Sequence, residues 1–525
     1  MRHGISTRLG IVTLLAAAML LLTHTWARTA SPFRDLDLLI DIRHELLTGY
    51  VEELDSSELN RAAVEGMVND LNDPHTDFLT PEDLERFERQ IKGEFSGIGA
   101  EVDEYEGRVR IITPLPDSPA WHAGVMAGDI IIEIEGESTL NMSLNEAVDR
   151  LTGEAGTDVT FTVRHDDGEE QEITVTRDRI RIQSVRGLQR GNDQHFQHML
   201  DAERGIAYIW LTQFNDNTVE EMAEVLDQLG EQGMRALIVD VRFNPGGLLE
   251  EAREVVDLFL PPGARIVSVR GRAGPEQVLD ARYPATIGDD IPVVVLANEA
   301  SASAAEILAG SLKDHDRALI VGSRTFGKGS VQQIRMLEGG QGALKMTNAY
   351  YYLPSGRLVH RRDDSEQWGV DPSEGAYVGL SARQMRDMLE RRRQNDVLRH
   401  NNGDDDPAEQ QPLTPERIEA DLLDPQLAAA LRAAIGRLET GNWPTVGAGN
   451  VQARVSADER DNLLEERERL QERLSEIERQ LEAVDTNGAE APDDAEPEAD
   501  ATRDDDQAPE TGADVEIDIE LQPAP

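Results

Sequence analysis

Apolar and polar positions change their spacing several times along this chain of 525 residues. The run "IVTLLAAAMLLL" is almost wholly apolar, follows the basic "MRHGISTRLG", and leads through "THTWA" to the small residue Ala27. That layout predicts a secretory leader over 1–27, because the run is shorter than the roughly 20 residues a spanning helix needs. From 28 to 92, "LDLLIDIRHELLTGYVEEL" and "SELNRAAVEGMVNDL" repeat apolar residues at helical spacing, and "NDPHTDFLTPEDLERF" gives a turn and a capped helix start. Between 93 and 179 the period falls to two in "SGIGAEVDEYEGRVRIITPL", "TDVTFTVRH" and "QEITVTRD", around the amphipathic "SLNEAVDRLTG". From 180 to 400 the strand-like "GIAYIWL", "ALIVDVRF", "IPVVVLAN" and "ALIVGS" alternate with helix-like "NTVEEMAEVLDQLGEQG", "LLEEAREVVDLFL" and "SAAEILAGSLKD". Such alternation predicts an α/β layer on largely parallel strands, with a site at their carboxyl ends.

Beyond His400 the pattern breaks up. "NNGDDDPAEQQPLTPE" reads as a linker and "DPQLAAALRAAIGRL" as a helix, together spanning 401–456. Over 457–484, Leu463, Leu470, Ile477 and Val484 fall seven apart with Leu474 and Leu481 between them, the a and d positions of a short coiled coil that Arg467 interrupts. Self-association through this helix, and so a homo-oligomer, is expected. The stretch 485–525 carries fifteen acidic residues against one basic and no aromatic, a composition that predicts disorder.

Charge and cysteine narrow the function classes. A net charge of −50 argues against nucleic acid or anionic lipid as partner. With no cysteine, thiolate catalysis and Cys-based zinc sites are excluded, and the chain suits an oxidising compartment. Asp73, His75 and Asp77 read as turn and capping residues rather than a metal site, since no second ligand cluster accompanies them. No metal and no cofactor are expected.

Three segments at strand ends could carry chemistry. Asn244-Pro245-Gly246-Gly247 interrupts the chain between a strand and a helix, where glycines let backbone N–H groups approach a ligand. Ser301 and Ser303 lie among alanines where another strand hands over to a helix, and a helix N-terminus favours developing negative charge. Lys328 stands between two glycines after a third strand, with Gln332 four residues on, a spacing that returns to the same face. None of the 11 histidines, His315 and His360 included, sits in a stretch like that of a triad member. A lysine can replace histidine as base if burial disfavours its ammonium form, at about 1.4 kcal/mol per pKa unit.

The unit over 93–179 resembles a PDZ domain. In that family the loop before the first long strand, here Gly97, Ile98, Gly99 and Ala100, offers N–H groups to a carboxyl terminus while the peptide adds as a strand. The chain from about Leu36 to Asp371 resembles the carboxyl-terminal processing (tail-specific) serine proteases. "DPHTDFL", "GEFSGIGAEV", "DVRFNPGGLL", "SASAAEILAGSLKDHDRALIVGSRTFGKGSVQ" and "YYLPSGR" occur in the family's order. The resemblance implies a multidomain α+β chain with a helical N-terminal region, a PDZ domain and an α/β protease core related to the ClpP/crotonase-like fold. It places the nucleophile on Ser303, the base on Lys328 and the lysine-orienting residue on Gln332. It places the oxyanion hole on the N–H groups of Ala304 and Gly247, with Gly246 as the alternative, and an acidic support on Asp314. Ser301 becomes a packing residue. Phe243 and the charged "RRDDSEQW" depart from the family pattern and bear on specificity. The implied protein is an exported, periplasmic endopeptidase acting on protein or peptide C-terminal tails. An activating adaptor protein is a candidate partner, and membrane association follows only if the leader stays uncleaved. An inactive PDZ scaffold and a hydrophobic-ligand-binding protein on the same core are the alternatives.

Overall fold

The computed structural model describes residues 36–488 apart from 166, 192–194, 363–364, 366 and 397–412. The leader expected at 1–27, and all but the first four residues of the acidic tail expected at 485–525, lie outside the described residues. No helix among the described residues is long and apolar enough to cross a membrane.

The N-terminal region opens with two helices, α1 (Asp37–Gly49) and α2 (Ser56–Asn69). Asp55 caps α2 by accepting from the N–H groups of Ser57 and Glu58. The short β1 (Asp77–Leu79) and helix α3 (Pro81–Lys92) follow, α3 starting at the Thr80 cap with proline in its first turn and ending at Gly93 in a left-handed conformation. Leu36, Leu38, Leu39, Ile40 and Ile42 of the α1 segment are all exposed.

The strand-rich unit predicted after it forms around β2 (Ala100–Tyr105), β3 (Arg108–Pro114), β4 (Ile130–Ile134), α4 (Leu144–Leu151), β5 (Asp158–Arg164) and β6 (Glu170–Thr176). The strands lie in the order β2-β3-β4-β5-β6, so β2 is an edge strand. Alternate residues Val109, Ile111, Ile131, Val159, Phe161 and Val163 face one core, closed by Ala147 and Leu151 of α4. Glu94–Gly97 pairs antiparallel with Asp178–Arg181 where the chain enters and leaves this unit.

The next region carries β7 (Ile206–Leu211), α5 (Thr218–Glu231), β8 (Ala236–Asp240), α6 (Leu249–Asp257), β9 (Arg265–Gly271), β10 (Gln277–Asp280), β11 (Val293–Ala297), α7 (Ala304–Asp314), β12 (Ala318–Gly322), β13 (Ser330–Met336) and β14 (Ala343–Tyr352). Strands β7, β8, β11 and β12 pair in parallel, and every residue of β8, β11 and β12 is buried. Such strands must be covered on both faces. Ala207, Ile209, Leu237, Val239, Val293 and Val295 pack against α5, α6 and α7. Their alternates Ile206, Tyr208, Ile238, Val294 and Leu296 face the other way. A second, antiparallel sheet runs β1-β14-β9-β10, with β13 on β14.

What covers the second face comes from late in the chain. Where the sequence reading expects a linker with one helix over 401–456, α8 (Ala382–Asp396) is followed by two helices, α9 (Pro415–Asp421) and α10 (Pro425–Thr440), before α11 (Val451–Gly488) begins. Leu427, Ala428, Ala430 and Leu431 are completely buried against β8, β11 and β12. Small alanines let α10 approach closely, and an apolar sheet face left open would be unstable.

A buried charge cluster locks that helix down. Arg242, just after β8, donates to Asp240 (3.0 and 2.8 Å) and to Asp424 (2.8 and 2.7 Å), with no side-chain exposure. Arg392 of α8 adds a second cation, 3.2 Å from Asp240, and donates to the Tyr208 hydroxyl. Burial alone would raise the Asp240 carboxyl, but Arg242 and Arg392 override it and bring it down to about 2. Asp424 also caps α10 through the Leu427 N–H at 2.9 Å. The residues from Glu459 onward form a second unit, in which α11 continues with Leu463, Leu470, Leu474 and Ile477 exposed.

Removing one partner of a buried ion pair leaves an uncompensated charge, which costs about 3–5 kcal/mol. Asp424→Ala is therefore expected to lower the unfolding free energy by a margin of that order, seen as a lower midpoint of chemical denaturation by tryptophan fluorescence. An unchanged midpoint would mean that α10 is held by its alanine face alone.

Candidate active site

Both serines of the turn after β11 have settled environments, and they differ. Ser301 is completely buried, its hydroxyl donating to the Val241 carbonyl at 2.8 Å and accepting from the Asn298 N–H at 2.9 Å. Ser303 is only partly buried and sits at the head of α7 with φ 54° and ψ −113°. A residue with a Cβ pays for that conformation, and such strain collects at functional turns. Directly against it lies the glycine pair of the Asn244–Gly247 loop. A Cβ on Gly246 would stand 2.7 Å from Ser303 Cβ, and the Ala302 N–H donates to the Asn244 carbonyl at 2.9 Å. Gly246 spends its own N–H on Asn244 Oδ1 at 2.8 Å. Among the described residues, no acceptor is recorded for the N–H of Gly247 or of Ala304.

Lys328 follows β12 in the loop leading to β13. The glycines around it are sterically required: a Cβ on Gly327 would stand 2.6 Å from Trp368, and one on Gly329 2.5 Å from the His360 N. A single carboxylate joins this loop to the serine turn. Glu306 Oε2 accepts from the N–H of Ser303 (2.9 Å) and of Lys328 (2.8 Å), while Oε1 accepts from Thr325 Oγ1 (2.6 Å) and the Gly327 N–H (2.7 Å). Glu306 has no solvent exposure. Burial holds its carboxyl above the usual range, its hydrogen-bond donors offsetting only part of that, while four donors on two oxygens suit the ionised form. The Tyr351 hydroxyl adds a second tie, 2.6 Å from the Lys328 carbonyl and 3.1 Å from that of Ser303.

Ser303, Lys328, Gln332, Gly246, Gly247 and Ala304 thus line one cavity of about 410 Å³, walled by Phe87, Ile91, Leu248, Ile307, Val331 and Ile334. Burial disfavours the Lys328 ammonium and lowers its pKa; Lys345 across the cavity lowers it further, while Glu306 and Asp73 act the other way. Gln332 reaches the cavity, but its amide nitrogen donates to Ser330 Oγ (3.0 Å) and Thr347 Oγ1 (3.3 Å). A Lys328–Gln332 hydrogen bond is absent among the described residues, and a register shift between Val331 and Gln332 breaks the regular alternation of β13 at this point. Asp314 lies away from the cavity, where its Oδ2 accepts from the Ser355 N–H at 2.9 Å and ties the end of α7 to the "YYLPSGR" turn. Phe243 is held at φ 62° with its N–H on Asn298 Oδ1 and does not line the cavity. Gly97, Ile98 and Gly99, the last at φ 76°, lead directly into the edge strand β2, whose first residue is Ala100.

Four residues of the site carry no catalytic or binding role in the sequence reading: Glu306, Tyr351, Lys345 and His75, the last read there as a turn residue. Glu306 had a signal, since Ser303 and a glutamate three residues on form the capping-box spacing. The Asp73 carboxylate does organise the turn, accepting from the His75 N–H at 3.0 Å and Thr76 Oγ1 at 2.6 Å, yet the turn also delivers His75 to the cavity wall.

The sequence model of peptidase family S41 matches residues 205–374, and that of the PDZ domain matches 110–165. The chain is 36% identical over 355 residues to a carboxy-terminal-processing protease of Bartonella bacilliformis, covering 66% of this chain and 77% of that one. It is 31% identical over 363 residues to a probable CtpA-like serine protease of Staphylococcus epidermidis, with 68% and 71% covered. This chain belongs to peptidase family S41, among the carboxy-terminal-processing serine proteases. Among solved structures, the photosystem II D1 C-terminal processing protease is 30% identical, with 65% of this chain and 86% of that one covered and a TM-score of 0.38. The S41 match ends before α8, α9 and α10, so the helices that cover the second face of the protease sheet lie outside it.

Glu306→Gln leaves one carbonyl oxygen to face four donors, and each donor left unpaired costs about 1–3 kcal/mol. Amide exchange at Gly327 and Lys328 is expected to accelerate strongly in this variant, measured by hydrogen–deuterium exchange. Unchanged protection there would show that the carboxylate is not what holds the lysine loop.

Proposed function

We propose that the chain is an exported serine endopeptidase that cuts proteins near their carboxyl termini, with Ser303 as nucleophile and Lys328 as general base. The observation that carries this reading is the shared cavity. A strained serine at a helix head and a half-buried lysine of lowered pKa line it together with two backbone N–H groups that no other group uses among the described residues. Neutral Lys328 takes the Ser303 hydroxyl proton while Oγ bonds to the substrate carbonyl carbon. The Gly247 and Ala304 N–H groups hold the resulting oxyanion, each such donor contributing about 10²–10³ in rate. Lys328 returns the proton to the leaving amine as the C–N bond breaks. Water then opens the acyl-enzyme, again with Lys328 as base. Gln332 is assigned the orienting role, for which its amide must turn from Ser330 towards Lys328.

Tail selection falls to the free edge of β2 and the Gly97–Ala100 loop ahead of it, the arrangement that strand addition and carboxylate capture require. The helix-covered parallel sheet is read as related to the ClpP/crotonase-like fold. Export to the periplasm rests on the leader-like "IVTLLAAAMLLL". A homo-oligomer is supported by two exposed apolar rows, one on the α1 segment and one at heptad spacing on α11.

Ser303→Ala is expected to lose at least about 10³-fold in turnover. Ser301→Ala should keep most activity and lose stability instead, because its buried hydroxyl serves Val241 and Asn298. Lys328→Arg should be as inert as Lys328→Ala, since a guanidinium stays protonated. A serine-directed covalent probe followed by peptide mapping checks the first assignment, and near-normal turnover in Lys328→Arg would refute the second.

For the tail, the expected outcome concerns paired peptides with identical scissile regions. Amidating the carboxyl terminus, or replacing the last apolar residue by Asp, should lower kcat/KM sharply. Equal values for the free and amidated peptides would leave a general Ser–Lys protease whose PDZ domain does not select substrate.

A further inference from the structure

The cavity around Ser303 has an unusual charge balance for so acidic a chain. Its lining includes His75, Lys328 and Lys345 and no aspartate or glutamate, although the whole sequence carries 101 acidic against 51 basic residues. Lys345 reaches it from β14, two residues from Thr347, which lies on the same strand face and meets Gln332. Its position is set by its surroundings. Nζ stands 4.0 Å from Asp77 Oδ2 of β1 and 5.8 Å from the centre of the Phe87 ring, and the side chain is 23% exposed. At 4.0 Å from a carboxylate that is itself 59% exposed, this cation is only partly neutralised.

We propose that Lys345 is a positioning residue for the Ser303–Lys328 reaction: its ammonium, fixed on the wall of the shared cavity, repels a proton from Lys328. The proposal rests on Lys328 being the base. A second cation beside a desolvated lysine is a known route to a reactive amine, because two like charges in a low-dielectric cavity raise each other's cost. The other charged and titratable groups facing Lys328 come from three elements. Glu306 of α7 and Asp73 of the turn before β1 favour its charged form; His75 of the same turn is itself pushed towards neutrality by burial, and then by Lys328 and Lys345. Tyr351 of β14, buried and held protonated, meets Lys328 only through its carbonyl. Lys345 is therefore the cation that offsets Glu306 and Asp73. Glu306 cannot be dispensed with, since it holds the loop, and its charge pulls Lys328 the wrong way for a base.

The pH dependence of kcat/KM separates this role from a structural one. In Lys345→Met the limb that reports deprotonation of the base is expected to move to higher pH by about one unit, the size typical of a charge removed at close range. Lys345→Arg should bring it back. Asp77→Asn, at an exposed side chain, carries the opposite sign: with its partial counter-ion gone, Lys345 should push the limb to lower pH. A limb that stays at the wild-type pH in Lys345→Met overturns the proposal, whatever happens to the amplitude. If Lys345→Met does not fold, Lys345→Gln takes its place, with the same expected shift and the same overturning result. Activity retained in Lys328→Ala would instead sink the dyad assignment itself, a distinct result.

Discussion

One carboxylate does most to make this site a site. Glu306 carries a full charge into a place with no solvent, which is costly unless every lone pair is used. The chain uses them by bringing four donors from two separate segments to its two oxygens. Two of those donors are the backbone N–H groups of Ser303 and Lys328 themselves. The two side chains that line the cavity are thus anchored, through their own peptide units, to the same oxygen, Glu306 Oε2. Charge-assisted bonds of this kind are short and directional, so they fix the spacing of the two loops more tightly than apolar packing could. Their penalty is electrostatic. A permanent anion beside Lys328 stabilises its ammonium, and the burial of that lysine has to overcome this before an amine can act as base.

The same logic operates one layer below, around Arg242. Its guanidinium sits two residues before Asn244, whose side chain shapes the Gly246–Gly247 loop by taking the Gly246 N–H. Asp240 alone would neutralise Arg242, yet the structure adds Asp424 from α10 and Arg392 from α8, giving two cations and two anions with little or no exposure. Such a cluster is weak as a source of stability but demanding in geometry. It registers the late helices against the strand that ends at the Asn244–Gly247 loop. Apolar packing of an alanine-rich face could tolerate α10 sliding by a turn; a fork of paired Arg–Asp bonds cannot.

Much of this was legible in the amino-acid order, and what was not has a physical reason. The strands over 205–322 announce themselves because buried parallel strands are apolar at every position, and the helices between them keep a clean period. Ser303, Lys328 and the glycine pair stand out because each sits where a strand stops. Glu306 was half visible as a capping-box partner, but spacing cannot say that its second oxygen serves a loop twenty residues away. Asp424 looked like an ordinary helix start, since a cap and a buried counter-ion share one residue type. His75 and Lys345 were hidden for a different reason. Both are polar residues on short or edge elements whose only signal is what they face, and facing is a tertiary property. Gln332 shows a different limit: its four-residue spacing from Lys328 does not say where its amide bonds, and here the nitrogen donates to Ser330 and Thr347.

The route from the PDZ unit to the chemistry is short and made of backbone. Helix α3 ends at Lys92, and its last turn is bonded to the loop after β7: the Asp216 N–H donates to the Ile91 carbonyl and the Asn217 amide to that of Lys92. Gly93, the residue at which the chain turns into the strand paired with Asp178–Arg181, has no room for a Cβ because Asn215 fills the space. That same loop begins with Phe214, whose N–H donates to the Gly246 carbonyl at 2.9 Å and whose carbonyl accepts from Leu248 at 2.9 Å. Phe214 also packs so closely on Gly247 that only glycine fits there. Close-packed contacts and peptide hydrogen bonds stretch very little, so displacement at one end of such a path is passed on rather than absorbed. Gly93, where the chain turns into the strand paired with Asp178–Arg181, and Gly247, in the loop against Ser303, are therefore separated by one loop, Phe214–Asn217.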